Sequence, residues 1–212
     1  MQSNNNAEEP SFEPVVDEES PFWSNLRSFL WETIKVVVIS LAIIIPIRYY
    51  LIQPFYVKGA SMEPSFHDHE YLIIDEISYR FNSPQRGDIV VFRYPKNPSE
   101  YFIKRVIALP GENIRIQDGQ IYIRPVAGDE EYLLDESAYL LKGTKTSAET
   151  NLLLEGDEFF VMGDNRSASL DSRAFGPIHY SDIVGRTWLR GWPLDKITVF
   201  KEPVYNYINN QL

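Results

Sequence analysis

Asp88-Ile89-Val90-Val91-Phe92-Arg93, Tyr101-Phe102-Ile103-Lys104-Arg105-Val106-Ile107-Ala108, Asn113-Ile114-Arg115-Ile116 and Gln120-Ile121-Tyr122-Ile123-Arg124 are successive β-branched and aromatic runs. Side chains of this kind fit a pleated, half-buried surface. Turn-forming residues separate the runs at Pro110-Gly111 and Asp118-Gly119. Gln117-Asp118-Gly119-Gln120 joins two alternating segments and reads as a two-residue hairpin. Outward from this block, Tyr71-Leu72-Ile73-Ile74-Asp75 and Glu158-Phe159-Phe160-Val161-Met162 repeat the pattern. Arg86-Gly87-Asp88, Gly156-Asp157 and Gly163-Asp164 supply further turns, and no long helical period follows Gln53. Residues 53–212 are therefore expected to form a mainly β domain built on antiparallel β-sheet. Residues 125–155 are polar and irregular, and are expected to be an inserted loop or flap.

Upstream the character changes. Residues 1–28 carry Glu8, Glu9, Glu13, Asp17, Glu18 and Glu19 against Arg27 alone, and residues 1–20 show no apolar periodicity. They read as a disordered acidic tail. From Phe29 to Ile52 an apolar stretch contains the uncharged run Val36-Val37-Val38-Ile39-Ser40-Leu41-Ala42-Ile43-Ile44-Ile45. A membrane helix needs about 20 residues at about 1.5 Å each. Lys35 and Arg48 stand near its ends, where they can snorkel, and Trp23, Trp31, Tyr49 and Tyr50 occupy interfacial positions. Pro46 is expected to kink the helix. A buried soluble helix is the alternative. A cleaved secretory leader fits poorly, because the segment lies far from Met1 behind an acidic leader and no small-x-small site follows. Basic residues flank both ends, so charge does not orient the span.

The chain has 212 residues and a formal net charge of −10, with 44% hydrophobic and 14% aromatic residues. This suits one domain plus an anchor and argues against a nucleic-acid partner, which requires a basic patch. With no cysteine there is no disulfide, no thiolate metal site and no cysteine nucleophile.

Four segments carry polar residues that strand formation does not require. Gly59-Ala60-Ser61-Met62-Glu63-Pro64-Ser65-Phe66 places a serine on a rigid turn; alone, an ordinary loop serine explains it. Arg86-Gly87-Asp88-Ile89-Val90 is a turn entering a buried strand. Lys104-Arg105 puts two cations on opposite faces of one strand, so one can be solvated while the other faces inward. Gly163-Asp164-Asn165-Arg166-Ser167-Ala168-Ser169-Leu170-Asp171-Ser172-Arg173 alternates acid and base, as a solvated turn or as a hydrogen-bonded scaffold with Asp171 and Arg173 as its ion pair.

Taken together, Gly-x-Ser-Met-x-Pro, Arg-Gly-Asp-Ile-Val, Lys-Arg-Val-Ile-Ala-x-Pro-Gly and Gly-Asp-Asn-Arg-Ser-x-Ser-x-Asp-Ser-Arg resemble the ordered motifs of the type I signal peptidase family, over about Arg48 to Pro193. The resemblance implies a serine endopeptidase with Ser61 as nucleophile and Lys104 as general base. It gives Ser169 a hydrogen bond to the lysine and makes Asp171 and Arg173 a supporting pair. Phe55, Val57, Met62, Phe66 and Ile103 match positions lining small pockets for the substrate residues at −1 and −3. Cleavage after an Ala-x-Ala-like site is implied. So are signal-peptide-bearing precursors and the lipid bilayer as partners, with no cofactor, metal or nucleic acid. The implied placement is single-pass in a cell membrane, with the N-terminus cytoplasmic and the catalytic domain outside. Gly59 stands where some relatives have an oxyanion-stabilising serine, which leaves that task to backbone N–H groups, Ser61's own first.

A lysine base needs explanation, because a free lysine has a pKa of about 10.4. Burial among Phe102, Ile103, Val106 and Ile107 would disfavour the ammonium form and bring the amine into its working range. The competing readings are a metal site at His67 and His69, a histidine base drawn from His67, His69 or His179, and an inactive membrane-tethered β-domain that binds precursors. A self-cleaving Ser-Lys repressor would need a DNA-binding segment where this chain has its acidic tail and apolar span.

Overall fold

The structure, a computed structural model, describes residues 21–50, 52–126 and 130–200, with the side chains of residues 21, 24, 47–50, 52 and 53 outside the description. The acidic tail over 1–20, and the side chains of Arg48, Tyr49 and Tyr50, lie outside the described residues. Two compact units divide the chain, Met1–Ile45 and Pro46–Leu212.

The helix α1 runs from Pro21 to Tyr50, so residues 21–28 belong to it rather than to the tail. It continues through Pro46. Its stretch Asn25–Pro46, 22 residues of mean hydropathy 2.0, is long and apolar enough to cross a membrane. Val36, Ile39, Leu41, Ile43, Ile44 and Ile45 are all exposed, which a buried soluble helix would not show. Its polar residues satisfy themselves locally: Ser28 Oγ donates to Asn25 O and Thr33 Oγ1 to Phe29 O, both at 2.9 Å. Lys35 Nζ lies 5.6 Å from the centroid of the Trp31 ring.

The second unit is built of antiparallel strands: β1 Ile52–Tyr56, β2 Tyr71–Asp75, β3 Ile89–Tyr94, β4 Asn97–Ala108, β5 Asn113–Gln117, β6 Gln120–Arg124, β7 Tyr132–Leu133, β8 Thr150–Leu153, β9 Glu158–Met162, β10 Ile178–His179, β11 Ile183–Trp192 and β12 Thr198–Val199. The larger sheet has the order β1-β2-β11-β3-β4-β9-β10, with β12 beside β11; the smaller has the order β7-β6-β5-β8. The expected hairpin is present, with Gln117 opposite Gln120 and positive φ at Asp118 (54°) and Gly119 (83°), the left-handed pair that such a turn demands.

Two features of the larger sheet position the site. β1 is an edge strand. β4 pairs with β3 over most of its length but meets β9 only from Arg105 onward, leaving the other side of its outer half open. The alternation of each strand feeds three apolar clusters. One fills the smaller sheet around Ile114, Ile116, Ile121 and Ile123. Another gathers Val57, Met62, Phe66, Leu72 and Ile74 under the Ser61 turn. The third holds Val90, Phe92, Val106, Phe159 and Val161.

The segment 125–155 is more than a loop. β7 and β8 flank the β5–β6 hairpin, while Tyr132, Leu134 and Leu154 are buried in its core. Strands this short carry too little alternation to be read from sequence, and partners fix them instead.

Candidate active site

Ser61 sits on the turn that follows β1. Gly59 adopts φ +92°, a left-handed conformation natural to glycine, and its N–H donates to Asp68 Oδ1 at 2.8 Å. Glu63 N–H donates to Ala60 O and Phe66 N–H to Met62 O, closing a helical coil around the serine. From the other side Asn165 grips the same turn, its N–H on Ser61 O and its Nδ2 on Ala60 O, both at 3.1 Å. Among the described residues nothing accepts a hydrogen bond from the Ser61 N–H. Gly163 shows how close this approach is: a Cβ there would stand 2.4 Å from Ser61 O and 2.2 Å from Ser169 Oγ.

Lys104 lies on the inward face of β4 and is 4% exposed. Its Nζ is 2.8 Å from Ser61 Oγ and 2.8 Å from Ile103 O, over the Phe102 ring at 5.3 Å. No carboxylate lies within ion-pair distance of it among the described residues. Burial lowers its pKa to about 8, partly opposed by the more distant charges of Asp171 and Asp164.

Arg105, the next residue, is also buried, at 5% exposure, so neither of the adjacent cations is solvated. A carboxylate meets it instead: Nε and Nη2 reach Asp164 at 2.8 and 2.6 Å, and Nη1 donates to Gly87 O at 2.9 Å. Its guanidinium lies 4.0 Å from the centroid of the Tyr139 ring.

Asp171 and Arg173 do form an ion pair, with Nε and Nη2 each 2.8 Å from a carboxylate oxygen. Asp171 is fully buried and accepts from Gly163 N–H at 3.0 Å. Burial would raise its pKa, but the Arg173 guanidinium outweighs that and holds the carboxyl below its usual range. Asp171 also caps the short helix α2, Ser172–Phe175. Ser169 differs from expectation. Among the described residues its buried Oγ has no hydrogen-bond partner in good geometry, and Lys104 donates elsewhere. The hydroxyl nevertheless lies near enough to Asp171 to favour that carboxylate.

Phe55, Val57 and Ile103 line a groove of about 760 Å³ that ends at Ser61 and Lys104, joined by Leu72 and Val91, which were not foreseen. Met62 and Phe66 are buried in the cluster beneath and do not line it. The three histidines lie apart from the serine's hydrogen bond: His67 faces Glu63, His69 faces Asp68 and His179 faces Asp157, all exposed.

Comparisons with known proteins bear on what this geometry belongs to. The family model described as "Signal peptidase, peptidase S26" matches residues 30–192. The chain is 36% identical over 175 residues to signal peptidase I of Leptolyngbya laminosa, covering 79% of this chain and 82% of the relative. It belongs to the type I signal peptidase family. This makes it a hydrolase, a serine endopeptidase of signal-peptide removal, and its apolar α1 agrees with a membrane-anchored enzyme. Signal peptidase IB of Staphylococcus aureus strain MRSA252 is 30% identical over 193 residues, covering 86% of this chain and 96% of that one. A probable signal peptidase I-2 of Synechocystis is 34% identical over 168 residues, 77% of this chain and 73% of the relative.

Sequence reading missed how the site is braced from the smaller sheet's side. Arg166, buried in the same motif as Asp171, forks onto Glu136 and donates to Thr146 Oγ1, while Arg173 Nη1 reaches Ser147. Residues 163–173 hold two arginines, Arg166 and Arg173, and two aspartates, Asp164 and Asp171, so their composition gave no sign that Arg166 pairs outside the stretch.

Proposed function

We propose that this signal peptidase cleaves precursors after small-x-small, Ala-x-Ala-like sites by a Ser61–Lys104 dyad. The carrying observation is the 2.8 Å approach of a buried, carboxylate-free Lys104 Nζ to Ser61 Oγ. In its neutral form the amine takes the Ser61 proton as Oγ bonds to the scissile carbonyl carbon. The tetrahedral oxyanion is met by the Ser61 N–H, which has no other acceptor among the described residues, whereas the Gly59 N–H is committed to Asp68. Collapse breaks the C–N bond, and Lys104 returns its proton to the leaving amine. A water deprotonated by Lys104 then hydrolyses the acyl-enzyme and restores Ser61.

The substrate lies as an extended strand between β1 and the open side of β4, where neither wall has a strand partner among the described residues. Alternate side chains then meet Phe55, Val57, Leu72, Val91 and Ile103, and this apolar lining admits small residues at −1 and −3. Ser169, rotated from its orphan position, can donate to the neutral amine. α1 is the single membrane anchor, with the N-terminus cytoplasmic and residues 53–212 as the catalytic domain outside, so that precursors tethered by their own apolar helix reach the groove at the bilayer.

The test is cleavage of a precursor with an Ala-x-Ala site, in detergent, by the wild type and the Ser61→Ala, Lys104→Ala and His179→Ala variants. Loss in the first two variants and survival in the third is expected. Loss with His179→Ala and activity with Lys104→Ala would replace the lysine base by a histidine one.

A further inference from the structure

Arg190, on β11 and remote from the motifs that carry the chemistry, has contacts that converge on the nucleophile's turn. Its Nη2 donates to the backbone carbonyl of Ser65. Its Nε stands 3.0 Å from Glu70 Oε2, with side chains 12% and 3% exposed. Among the described residues neither Glu70 oxygen has a hydrogen bond, so this contact supplies the charge that compensates a buried carboxylate. The guanidinium also lies over the rings of Phe66 and Phe200, 5.2 and 5.4 Å from their centroids. Phe200 packs on Phe66 at 4.7 Å and is held by its own N–H on Trp188 O.

These contacts bear on Ser61 through the coil that carries it. The front of the turn is fixed by Asn165 on Ser61 O and Ala60 O. The rear is Ser65, whose Oγ donates to Asp164 at 2.5 Å and whose carbonyl accepts from Arg190. Glu70, which closes the loop through its carbonyl on Val57 N–H, meets the same guanidinium. One planar fork thus spans Ser65 and Glu70 together, which a lysine's single nitrogen does not reproduce.

We infer that Arg190 is a positioning residue for the Ser61 nucleophile: by binding Ser65 and Glu70 at once, beneath the Phe66–Phe200 ring pair, it fixes the rear of the turn and hence the aim of Oγ and the Ser61 N–H. The inference rests on the Ser61–Lys104 reading. Arg190 touches no reacting atom; its effect belongs in kcat, and the groove that sets KM is lined by other residues.

The test compares the full-length protein in detergent with Arg190→Lys, Arg190→Met/Glu70→Gln and Ser61→Ala, on a peptide with an Ala-x-Ala site. The lysine variant keeps a cation beside Glu70, and the double variant removes both charges, so neither leaves a buried carboxylate bare. Expected in both is a fall in kcat on the order of tenfold, with KM within about twofold and the acid limb of the pH profile unmoved, because the surroundings of Lys104 are intact. A wild-type kcat in either variant overturns the inference, as does a loss expressed in KM. A shift of the pH limb with the loss would show general loosening of the core and overturns it too. Activity surviving in Ser61→Ala would instead overturn the dyad reading beneath it.

Discussion

Lys104 and Arg105 are neighbours on one strand, equally buried and equally cationic by composition, yet their surroundings on the two faces of β4 are opposite in kind. Around Arg105 the protein supplies a bidentate carboxylate, a carbonyl and an aromatic face. Around Lys104 it supplies Ser61 Oγ, one carbonyl and apolar walls. A buried cation with a counter-charge stays charged and joins strands together. One without a counter-charge is pushed toward its neutral form, the form that can take a proton. The difference lies in where the acids were placed: Asp164 is spent on Arg105 and Asp171 on Arg173, and both only touch Lys104 at a distance.

The contrast can be broken most severely at the lysine. Lys104→Ala should lower kcat on the order of 10⁴-fold with the fold intact, measured by precursor cleavage beside a circular dichroism spectrum. Arg105→Met should act on stability instead. It leaves Asp164 buried and unpaired, and urea unfolding should show a loss of about 3–5 kcal/mol, largely recovered when Asp164→Asn is added.

Lys104→Met should move stability the other way at pH 7, by a gain on the order of 3 kcal/mol. The sign follows from linkage. Unfolding returns the lysine from a pKa of about 8 to its usual 10.5, so the unfolded chain binds the proton more readily between those values. The wild type therefore loses stability as pH falls from about 10.5 to about 8 and gains none back below. The advantage of the methionine variant should vanish above pH 10.5. Asp171→Asn removes a charge that raises the lysine pKa, so the acid limb of kcat/KM should shift to lower pH. The smallest effect belongs to the Arg115–Glu131 pair, which is partly exposed; Glu131→Gln should cost under about 1 kcal/mol in the same unfolding experiment.

Much of this was legible before any coordinates. Strands such as β3, β4 and β9 announce themselves because their buried faces need unbroken β-branched and aromatic runs, whereas the ten-residue β11 went unread; Asp118-Gly119 announces its turn because few residue pairs accept two positive φ angles. Ser61 and Lys104 were singled out by the resemblance of their motifs, and the structure sets Lys104 Nζ 2.8 Å from Ser61 Oγ; the Asp171–Arg173 pair was suggested by alternating acid and base and is present as an ion pair. What escaped depends on contacts between segments distant in the chain. Nothing near Arg105 points to Asp164, and nothing in the polar stretch 130–155 shows that Glu136 reaches Arg166. Met62 and Phe66 were assigned to the substrate groove by position, but their size and apolar character carry them into the core beneath it. Ser169 was expected on the lysine but lies beside Asp171, a contact between side chains that the sequence does not reveal.

The central claim is that burial alone makes Lys104 a base near neutral pH. Carbon-13 labelling of the lysine side chains, with the Lys104 resonance assigned by loss in Lys104→Met, gives its titration directly by NMR. A midpoint near 8 is the predicted result. A midpoint at or above about 10, the range of an ordinary lysine, would contradict it.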